Sequence, residues 1–321
     1  MIEHWILLSV LIGLCVFLIA GALSPIESLA WWAGWSDEDS PLRKEDRENH
    51  APHDASNLFA VYLAGIDTIS GDELTWHVKK LIDGVNSATN EATIVTDVFP
   101  YAPSGRPLLA GPRVFLRLWR RLASLKRKAR ARALTSLINF RNFYQVLISA
   151  DHRYGPIFNA GAATVILEAL TDSGYNLASC PPIVIIGYSG GAQVAIGAAE
   201  YLKLATGAPI SVISLGGTMA SSPGIAALDR LYHLYGSRDR VHKFAALMFS
   251  ERWAIFPHSQ WNLAVAEGRV VRRLIGGMGH DGSGGYLGDN KDSDGEPFLE
   301  KTTEAIAAIL ETERTRLCEK A

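Results

Sequence analysis

The sequence PIVIIGYSGG, residues 182–191, joins a short apolar run to a glycine-rich turn. The β-branched residues 183–186 are typical of a strand buried on both faces. The pattern G-x-S-x-G follows directly, and small residues dominate 192–199. Small side chains allow a helix to pack close to a sheet. The stretch therefore predicts a strand, a sharp turn with Ser189 at its apex, and a helix.

The same alternation of strand and helix continues through the chain from residue 57 onward. Short apolar runs bounded by glycine or proline indicate buried strands, and segments with apolar residues at helical spacing separate several of them. This order favours an α/β fold, with a mostly parallel sheet and helices on both of its faces. The predicted strands are 57–65, 92–99, 182–189, 210–217, 231–236 and 269–277, and the predicted helices are 72–85, 155–172, 191–205 and 298–317.

Ser189 is a candidate nucleophile because of its neighbours in the turn. A sharp strand-to-helix turn strains the serine backbone and leaves no room for a bulky Cβ two residues before or after it. Gly187 and Gly191 meet that requirement, and with Tyr188 they complete the predicted nucleophile elbow. The helix that begins there directs backbone N–H groups at a developing oxyanion. A glycine-rich turn in an ordinary α/β domain is the alternative interpretation.

With this turn and its surrounding pattern, residues 57 to about 316 resemble the α/β-hydrolase superfamily, in particular its esterase and lipase branches. The resemblance implies a three-layer sandwich and the chain order serine, acid, histidine, each on a loop after a strand. Asp239 follows the second strand after that of the nucleophile, whereas the competing Asp229 precedes that strand. His280 lies in a glycine-rich loop after the last predicted strand. The implied catalytic set is Ser189 as nucleophile, His280 as general base and then general acid, and Asp239 as the residue that orients the imidazole.

An oxyanion hole needs two N–H donors, and the resemblance places one at Gly190 and one on the loop after the first strand. That loop reads Ala64-Gly65-Ile66-Asp67 and lacks the His-Gly pair common in lipases, so the Ile66 N–H is the candidate. Asp67 is unusual there, because a carboxylate opposes the developing negative charge. Its side chain either points away and caps the following turn, or binds a cationic or hydroxylated substrate group.

No cofactor and no metal site are predicted. The acidic stretch 289–296 is similar to part of a calcium loop, but the last ligand position holds Lys301 instead of glutamate. The stretch therefore predicts a surface loop. Three cysteines cannot form a disulfide framework.

Residues 1–35 predict a transmembrane anchor with an aromatic belt. Residues 5–26 contain no charged side chain, and about 20 helical residues span the hydrocarbon core of a bilayer. Trp31, Trp32 and Trp35 then suit the interface. The alternatives are a buried core helix and a cleaved signal peptide, although the positive residues that begin a signal peptide are missing.

The remainder of the chain is predicted as a polar linker, 36–56, and one hydrolase domain, 57–321, with a basic insertion at about 101–150. Lysine and arginine follow the apolar span and none precedes it, which predicts a single-pass protein with a cytoplasmic catalytic domain.

The basic insertion concentrates the positive charge of the chain. The 53 residues between Asp97 and Asp151 contain no acidic residue and eleven basic ones, so the rest of the chain carries −13, since the whole carries −2. Apolar residues at helical spacing accompany them, which indicates a basic amphipathic helix on an anionic membrane surface. A helix packed on the domain with a solvated basic face is the alternative, and nucleic-acid binding is disfavoured. The predicted basic patch comprises Arg113, Arg117, Arg120, Arg121, Lys126, Arg127 and Lys128.

Together these patterns predict a membrane-anchored serine hydrolase that cleaves a carboxylic ester of a lipid or another apolar acyl compound through an acyl-serine intermediate. Thioesterase, amidase and acyltransferase chemistry use the same triad and stay open as alternatives. So does a catalytically silent hydrolase fold that serves as an interaction or scaffold protein.

Overall fold

The computed structural model describes residues 58–68, 74–89, 92–104 and 132–318, together with scattered positions among residues 4–33. Within these residues no helix is both long enough and apolar enough to cross a bilayer. Most of the predicted anchor lies outside the described residues. The predicted linker and all seven residues of the predicted basic patch also lie outside them.

Six parallel strands form one sheet, in the spatial order β2-β1-β3-β4-β5-β6. The strands confirm the predicted α/β fold class and lie within a residue or two of their predicted starts. The carboxyl ends of the strands meet at one edge of the sheet, where their connecting loops can converge. The strands are β1 Leu58–Leu63, β2 Ala92–Val95, β3 Ile183–Tyr188, β4 Ile210–Leu215, β5 Arg230–Tyr235 and β6 Val270–Leu274.

Helices cover both faces of the sheet because alternate residues of the central strands point to opposite sides. In β1, Val61 and Leu63 face one core and Ala60 and Tyr62 face the other. The first core is covered by α2, α3 and α4, and the second by α1 and α8. The helices are α1 Trp76–Ala88, α2 Arg132–Ala150, α3 Gly155–Asp172, α4 Gly191–Thr206, α5 Gly224–Ala227, α6 Arg240–Met248, α7 Gln260–Ala266 and α8 Phe298–Cys318, with a 3-10 turn at Ser250–Arg252.

The structure revises two of the predicted segments. Among the described residues, strand β2 pairs only with β1; it ends at Val95, and the following residues Val98 and Phe99 leave the sheet to fill the core. The last part of the predicted basic insertion is α2, which buries Val146 and Ile148 against the first core. Arg141 of α2 donates a hydrogen bond to the Tyr101 carbonyl oxygen at 2.6 Å, so this cation has a structural contact inside the domain.

Helix α8 is joined to the sheet by a buried carboxylate. Glu313 is fully buried and accepts hydrogen bonds from Ser211 Oγ and Tyr232 Oη, both at 2.6 Å. Arg316, one turn further along the helix, donates to the same carboxylate at 2.6 Å. Burial opposes ionisation of Glu313, but the bonds from Arg316, Ser211 and Tyr232 outweigh it and lower the pKa of the carboxyl group. A charge held in this way connects β4, β5 and α8.

Replacing Glu313 with alanine is expected to lower the free energy of unfolding by about 3–5 kcal/mol, because the guanidinium and two hydroxyl groups lose their shared acceptor. Glu311→Ala is the matched control, since Glu311 also pairs with an arginine three residues later but is exposed. Its loss is expected to stay below about 1 kcal/mol. Urea unfolding of the two variants measures the difference, and equal losses would contradict this account of Glu313.

Candidate active site

Ser189 occupies the turn between β3 and α4 in a backbone conformation that serine rarely adopts. Its φ is +53°, which costs about 1–2 kcal/mol for a residue with a Cβ. Backbone bonds hold the turn: the Ser189 N–H donates to Leu215 O at 3.0 Å, and Ser189 O accepts from Thr218 N at 3.1 Å. The turn that the sequence predicts is therefore present, and both β3 and β4 support it.

The glycines of the elbow are required by close backbone contacts. A Cβ on Gly187 would lie 2.5 Å from Ala192 Cα, and a Cβ on Gly191 would lie 2.5 Å from Leu63 O. No real Cβ atom tolerates such distances from backbone, so both positions exclude side chains. The first contact lets α4 start immediately after the turn, and the second seats it against the end of β1.

Ser189, His280 and Asp239 form a continuous chain of hydrogen bonds. Ser189 Oγ lies 2.8 Å from His280 Nε2, and His280 Nδ1 lies 3.0 Å from Asp239 Oδ2. All three stand on loops that follow strands β3, β6 and β5 at the same edge of the sheet. The structure thus brings together the three residues that the sequence selects from separate regions of the chain.

Asp239 is fully buried, and each of its oxygens has partners. Oδ1 caps α6 by accepting from the Val241 and His242 N–H groups at 2.7 and 3.2 Å. Oδ2 accepts from Tyr286 Oη at 2.6 Å as well as from His280. Burial raises the pKa of the carboxyl group, but the bonds from His280 and Tyr286 outweigh it and lower the pKa to about 2. An ionised carboxylate can only accept, so Nδ1 of His280 carries a proton and Nε2 is free to accept from Ser189.

The competing acid Asp229 and the buried histidine of β5 have other roles. Asp229 precedes β5 and accepts from the Ile210 N–H at 3.0 Å, at the edge of the sheet opposite Ser189. His233, inside β5, is buried and contacts Ser214 Oγ at 3.1 Å. Burial, aided by Arg252 and His242, lowers the pKa of His233 to about 3, which keeps its imidazole neutral.

Two tyrosines hold the imidazole of His280. Tyr188 donates to the His280 carbonyl oxygen at 2.6 Å and stacks on the ring at a centroid distance of 5.7 Å. Tyr286 meets the same ring edge-on at 6.2 Å, and its hydroxyl accepts from the Gly236 N–H at 2.9 Å. The sequence predicts Tyr188 as part of the nucleophile elbow but not its contacts with His280. It does not single out Tyr286, which stands out in the sequence merely as an aromatic residue in a glycine-rich segment.

The two candidate oxyanion donors lie beside each other. A Cβ on Gly190 would lie 2.8 Å from Ile66 Cγ2, so the two residues are in close contact. Gly65 O accepts from the Thr68 N–H at 3.1 Å. The C=O and N–H of a trans peptide point in opposite directions. Because the Gly65 C=O points into the turn formed by residues 65–68, the Ile66 N–H points out of that turn. Neither the Gly190 nor the Ile66 N–H finds an acceptor within the described ranges of the chain.

The loop that carries Ile66 is held from outside by polar contacts that the sequence did not suggest. Asn142 of α2 donates from Nδ2 to Ile66 O at 2.8 Å and to Thr68 O at 2.9 Å. Tyr101 donates to Ala64 O at 2.8 Å. Helix α2 therefore positions the loop that carries the Ile66 N–H, the second candidate oxyanion donor. The sequence predicts the residues of this helix as part of a basic insertion.

Asp67 is exposed on this loop, and its side chain folds back towards Gly65. The negative charge of Asp67 acts on Tyr101, which donates to this loop at Ala64 O. Burial raises the pKa of Tyr101, and Asp67 raises it further. Both interpretations of Asp67 from the sequence stay predictions.

The acidic stretch 289–296 is a largely exposed loop, as the sequence predicts. The ammonium group of Lys301 lies among its carboxylates, at 3.1 Å from both Asp292 Oδ2 and Asp294 Oδ2 and at 3.8 Å from Glu296 Oε2. The ammonium group of Lys301, from α8, thus lies beside three carboxylates of this loop.

No family model, no curated protein and no solved structure matches this chain. The functional argument therefore rests on the geometry of the site.

Replacing Tyr286 with phenylalanine is expected to lower the free energy of unfolding at neutral pH by about 1.5–3 kcal/mol, because a buried carboxylate loses a donor. The loss depends on pH. The folded pKa of Asp239, about 2, is lower than its unfolded value near 3.9. Its stabilisation is therefore present above about pH 4 and lost as the pH falls towards 2. Since the variant raises the folded pKa, its deficit should shrink over that range in urea unfolding.

Tyr62→Phe is the control for this measurement. Tyr62 is also buried, and its hydroxyl has no hydrogen-bond partner in the part of the chain that the structure describes. Its removal is expected to be neutral or slightly stabilising at every pH. A deficit of Tyr286→Phe that stays constant as the pH falls, or an equal deficit in both variants, would show that the bond to Asp239 is not its cause.

Proposed function

We propose that the chain is a serine hydrolase of the α/β-hydrolase type, which cleaves a carboxylic ester through an acyl-Ser189 intermediate. The observation that carries the proposal is the unbroken hydrogen-bond chain from Ser189 Oγ through His280 to the buried carboxylate of Asp239. The order of these residues along the chain and their position after parallel strands support the same class.

Acylation begins when Ser189 Oγ attacks the ester carbonyl carbon and its proton passes to His280 Nε2. The imidazolium that forms is stabilised by the ionised Asp239, which keeps the Nδ1 proton in place. Collapse of the tetrahedral intermediate breaks the bond to the alcohol oxygen, and His280 returns the proton to that oxygen. The products of this half are the free alcohol and the acyl-serine.

The negative charge of the tetrahedral intermediate forms on the former carbonyl oxygen. The N–H groups of Gly190 and Ile66 are the proposed donors to it, and the close contact of the two residues supports their acting on one atom. Donors that are already oriented need no reorganisation during the reaction, and one such donor is worth about a hundred- to a thousandfold in rate.

Deacylation repeats the sequence with water as the nucleophile. His280 takes a proton from water, the hydroxide oxygen attacks the acyl carbon, and the bond to Ser189 Oγ breaks. Oγ recovers the proton from Nε2, and the carboxylic acid leaves. Amide, thioester and acyl-transfer reactions would share the first half of this cycle.

The proposed substrate is a lipid or another apolar acyl compound, because the sequence suggests a membrane location. The uncharged segment 5–26 and the basic patch within 113–128 support an N-terminal anchor and contact with an anionic membrane surface. The lysine and arginine bias around the segment favours a cytoplasmic catalytic domain, residues 57–321, on the linker 36–56.

Labelling by a fluorophosphonate probe tests the nucleophile. The native chain is expected to label and Ser189→Ala is not, with kcat for acyl esters falling about a millionfold in the variant. Ser87→Ala is the control, because Ser87 is exposed on α1 and its hydroxyl donates to Asp83 O, in the preceding helical turn. A native chain that does not label, or a Ser189→Ala variant that keeps its esterase activity, would overturn the proposal and favour a non-catalytic interaction protein.

Asn142→Ala tests the second oxyanion donor. Loss of the two bonds to the loop is expected to lower kcat about ten- to a hundredfold with little change in KM, because the Ile66 N–H acts on the transition state. Asn262→Ala is the matched control: Asn262 Nδ2 also donates to two carbonyl oxygens, those of Trp253 and Phe256, at 2.8 and 2.9 Å. On a soluble short-chain ester its kcat should be retained, and an equal fall in both variants would remove Asn142 from this role.

A further inference from the structure

Helix α6 and the segment after it present a large apolar surface to solvent. Phe244, Leu247 and Ile255 are 61%, 63% and 71% exposed. Side chains of this size are rarely grouped on the outside of a folded domain without a binding role. The apolar surface, as we call it, consists of Val241, Phe244, Leu247, Met248, Trp253, Ile255 and Phe256.

The outward apolar face of α6 is distinct from the face that packs on the domain. The helix buries only His242 and Ala245. Its exposed apolar residues follow at intervals of three and four from Val241, which places them on one stripe about 120° wide. The core therefore does not account for this stripe.

Hydrogen bonds hold the rest of the apolar surface in shape. Trp253 Nε1 donates to Ala246 O at 3.1 Å, which ties the loop to α6. Asn262 of α7 donates to the Trp253 and Phe256 carbonyl oxygens. The guanidinium of Arg252 lies 3.7 Å from the ring centroid of the buried Trp261 and donates to Met219 O at 3.0 Å. The surface is therefore preformed.

Basic side chains border the apolar surface. Arg238, Arg240 and Lys243 are exposed around the first turn of α6. The acidic residue among them, Asp239, is buried and fully occupied by its hydrogen bonds. Glu251 at the other end contacts His152 at 3.1 Å. An apolar stripe with a cationic border complements a bilayer that contains anionic lipid.

We propose that the apolar surface docks on an anionic lipid bilayer, with its side chains among the acyl chains and Arg238, Arg240 and Lys243 at the headgroups. Docking by the same surface of a second copy would bring the two cationic borders together, which disfavours a symmetric dimer. The surface begins at Val241, whose N–H donates to Asp239 at 2.7 Å. Docking would therefore hold the candidate active site against the lipid from which an apolar substrate is drawn.

The test uses an environment-sensitive fluorophore on the full chain, in which Cys15, Cys180 and Cys318 are replaced by serine. Ile255→Cys and Leu204→Cys receive the label, because both residues are large, aliphatic and exposed, at 71% and 77%. Leu204 lies at the far end of α4 from Ser189. The chains are reconstituted in vesicles of phosphatidylcholine with about one third phosphatidylserine, with and without bromine on the acyl chains.

The label at 255 is expected to lose about half of its emission to brominated lipid and the label at 204 about a tenth or less, because only the first lies among acyl chains. Phe244→Glu together with Leu247→Glu should abolish the quenching at 255, whereas Leu204→Glu should not. Both sets change exposed side chains, and urea unfolding verifies that they leave the fold intact. Quenching is independent of hydrolysis, so this result and the test of Ser189 can fail separately.

Equal quenching at the two positions, or none at 255, would overturn the proposal. Disulfide formation between the 255 cysteines of two unlabelled copies under an added mild oxidant, together with absence of quenching in the labelled chain, would do the same and would assign the apolar surface to a second copy of the chain.

Discussion

The carboxylate of Asp239 is the group on which the arrangement of the site depends. It accepts four hydrogen bonds from two separate parts of the chain: two from the first turn of α6, and two from His280 and Tyr286 on the loop between β6 and α8. One oxygen sets where a helix begins and the other sets the orientation of an imidazole. A buried charge demands such complete pairing, because each unmet bond would leave a desolvated anion without compensation. The need to pair every lone pair of Asp239 therefore determines both where α6 begins and which nitrogen of His280 carries the proton.

The domain contains a second buried carboxylate, and comparing the two explains their different uses. Glu313 pairs with Arg316 and two hydroxyl groups, so its charge is neutralised within α8 and the sheet. Within the described part of the chain, Asp239 accepts only from neutral N–H and O–H donors and from an imidazole. Its charge is therefore available to an imidazolium that forms on His280. A carboxylate that is permanently paired with a cation suits a structural role. A carboxylate whose neighbouring imidazole can become positively charged suits a chemical role.

Much of this arrangement follows from local sequence patterns. Apolar runs located β1, β3 and β4, because a strand buried on both faces must be largely apolar. Strand β6 is largely exposed and contains Arg272 and Arg273. The turn at Ser189 could be predicted from the sequence because close backbone contacts admit only glycine at 187 and 191. The contacts that the sequence did not predict join residues far apart along the chain. Asn142 reaches Ile66 across 76 positions, and Tyr286 reaches Asp239 across 47, and neither residue type is distinctive by itself. Arg141 looked like one more surface cation, but its hydrogen bond lies inside the domain.

The capping of α6 by Asp239 has a consequence for how the candidate active site responds to stress. Helix α6 is short, buries only two of its residues, and lies at the margin of the core. Elements of this kind open at free energies well below that of global unfolding. When the first turn of α6 frays, Asp239 loses two of its four bonds while the sheet and the Ser189 turn persist. The hydrogen-bond chain from Ser189 to Asp239 and this helix thus form one cooperative unit, which opens before the domain as a whole unfolds.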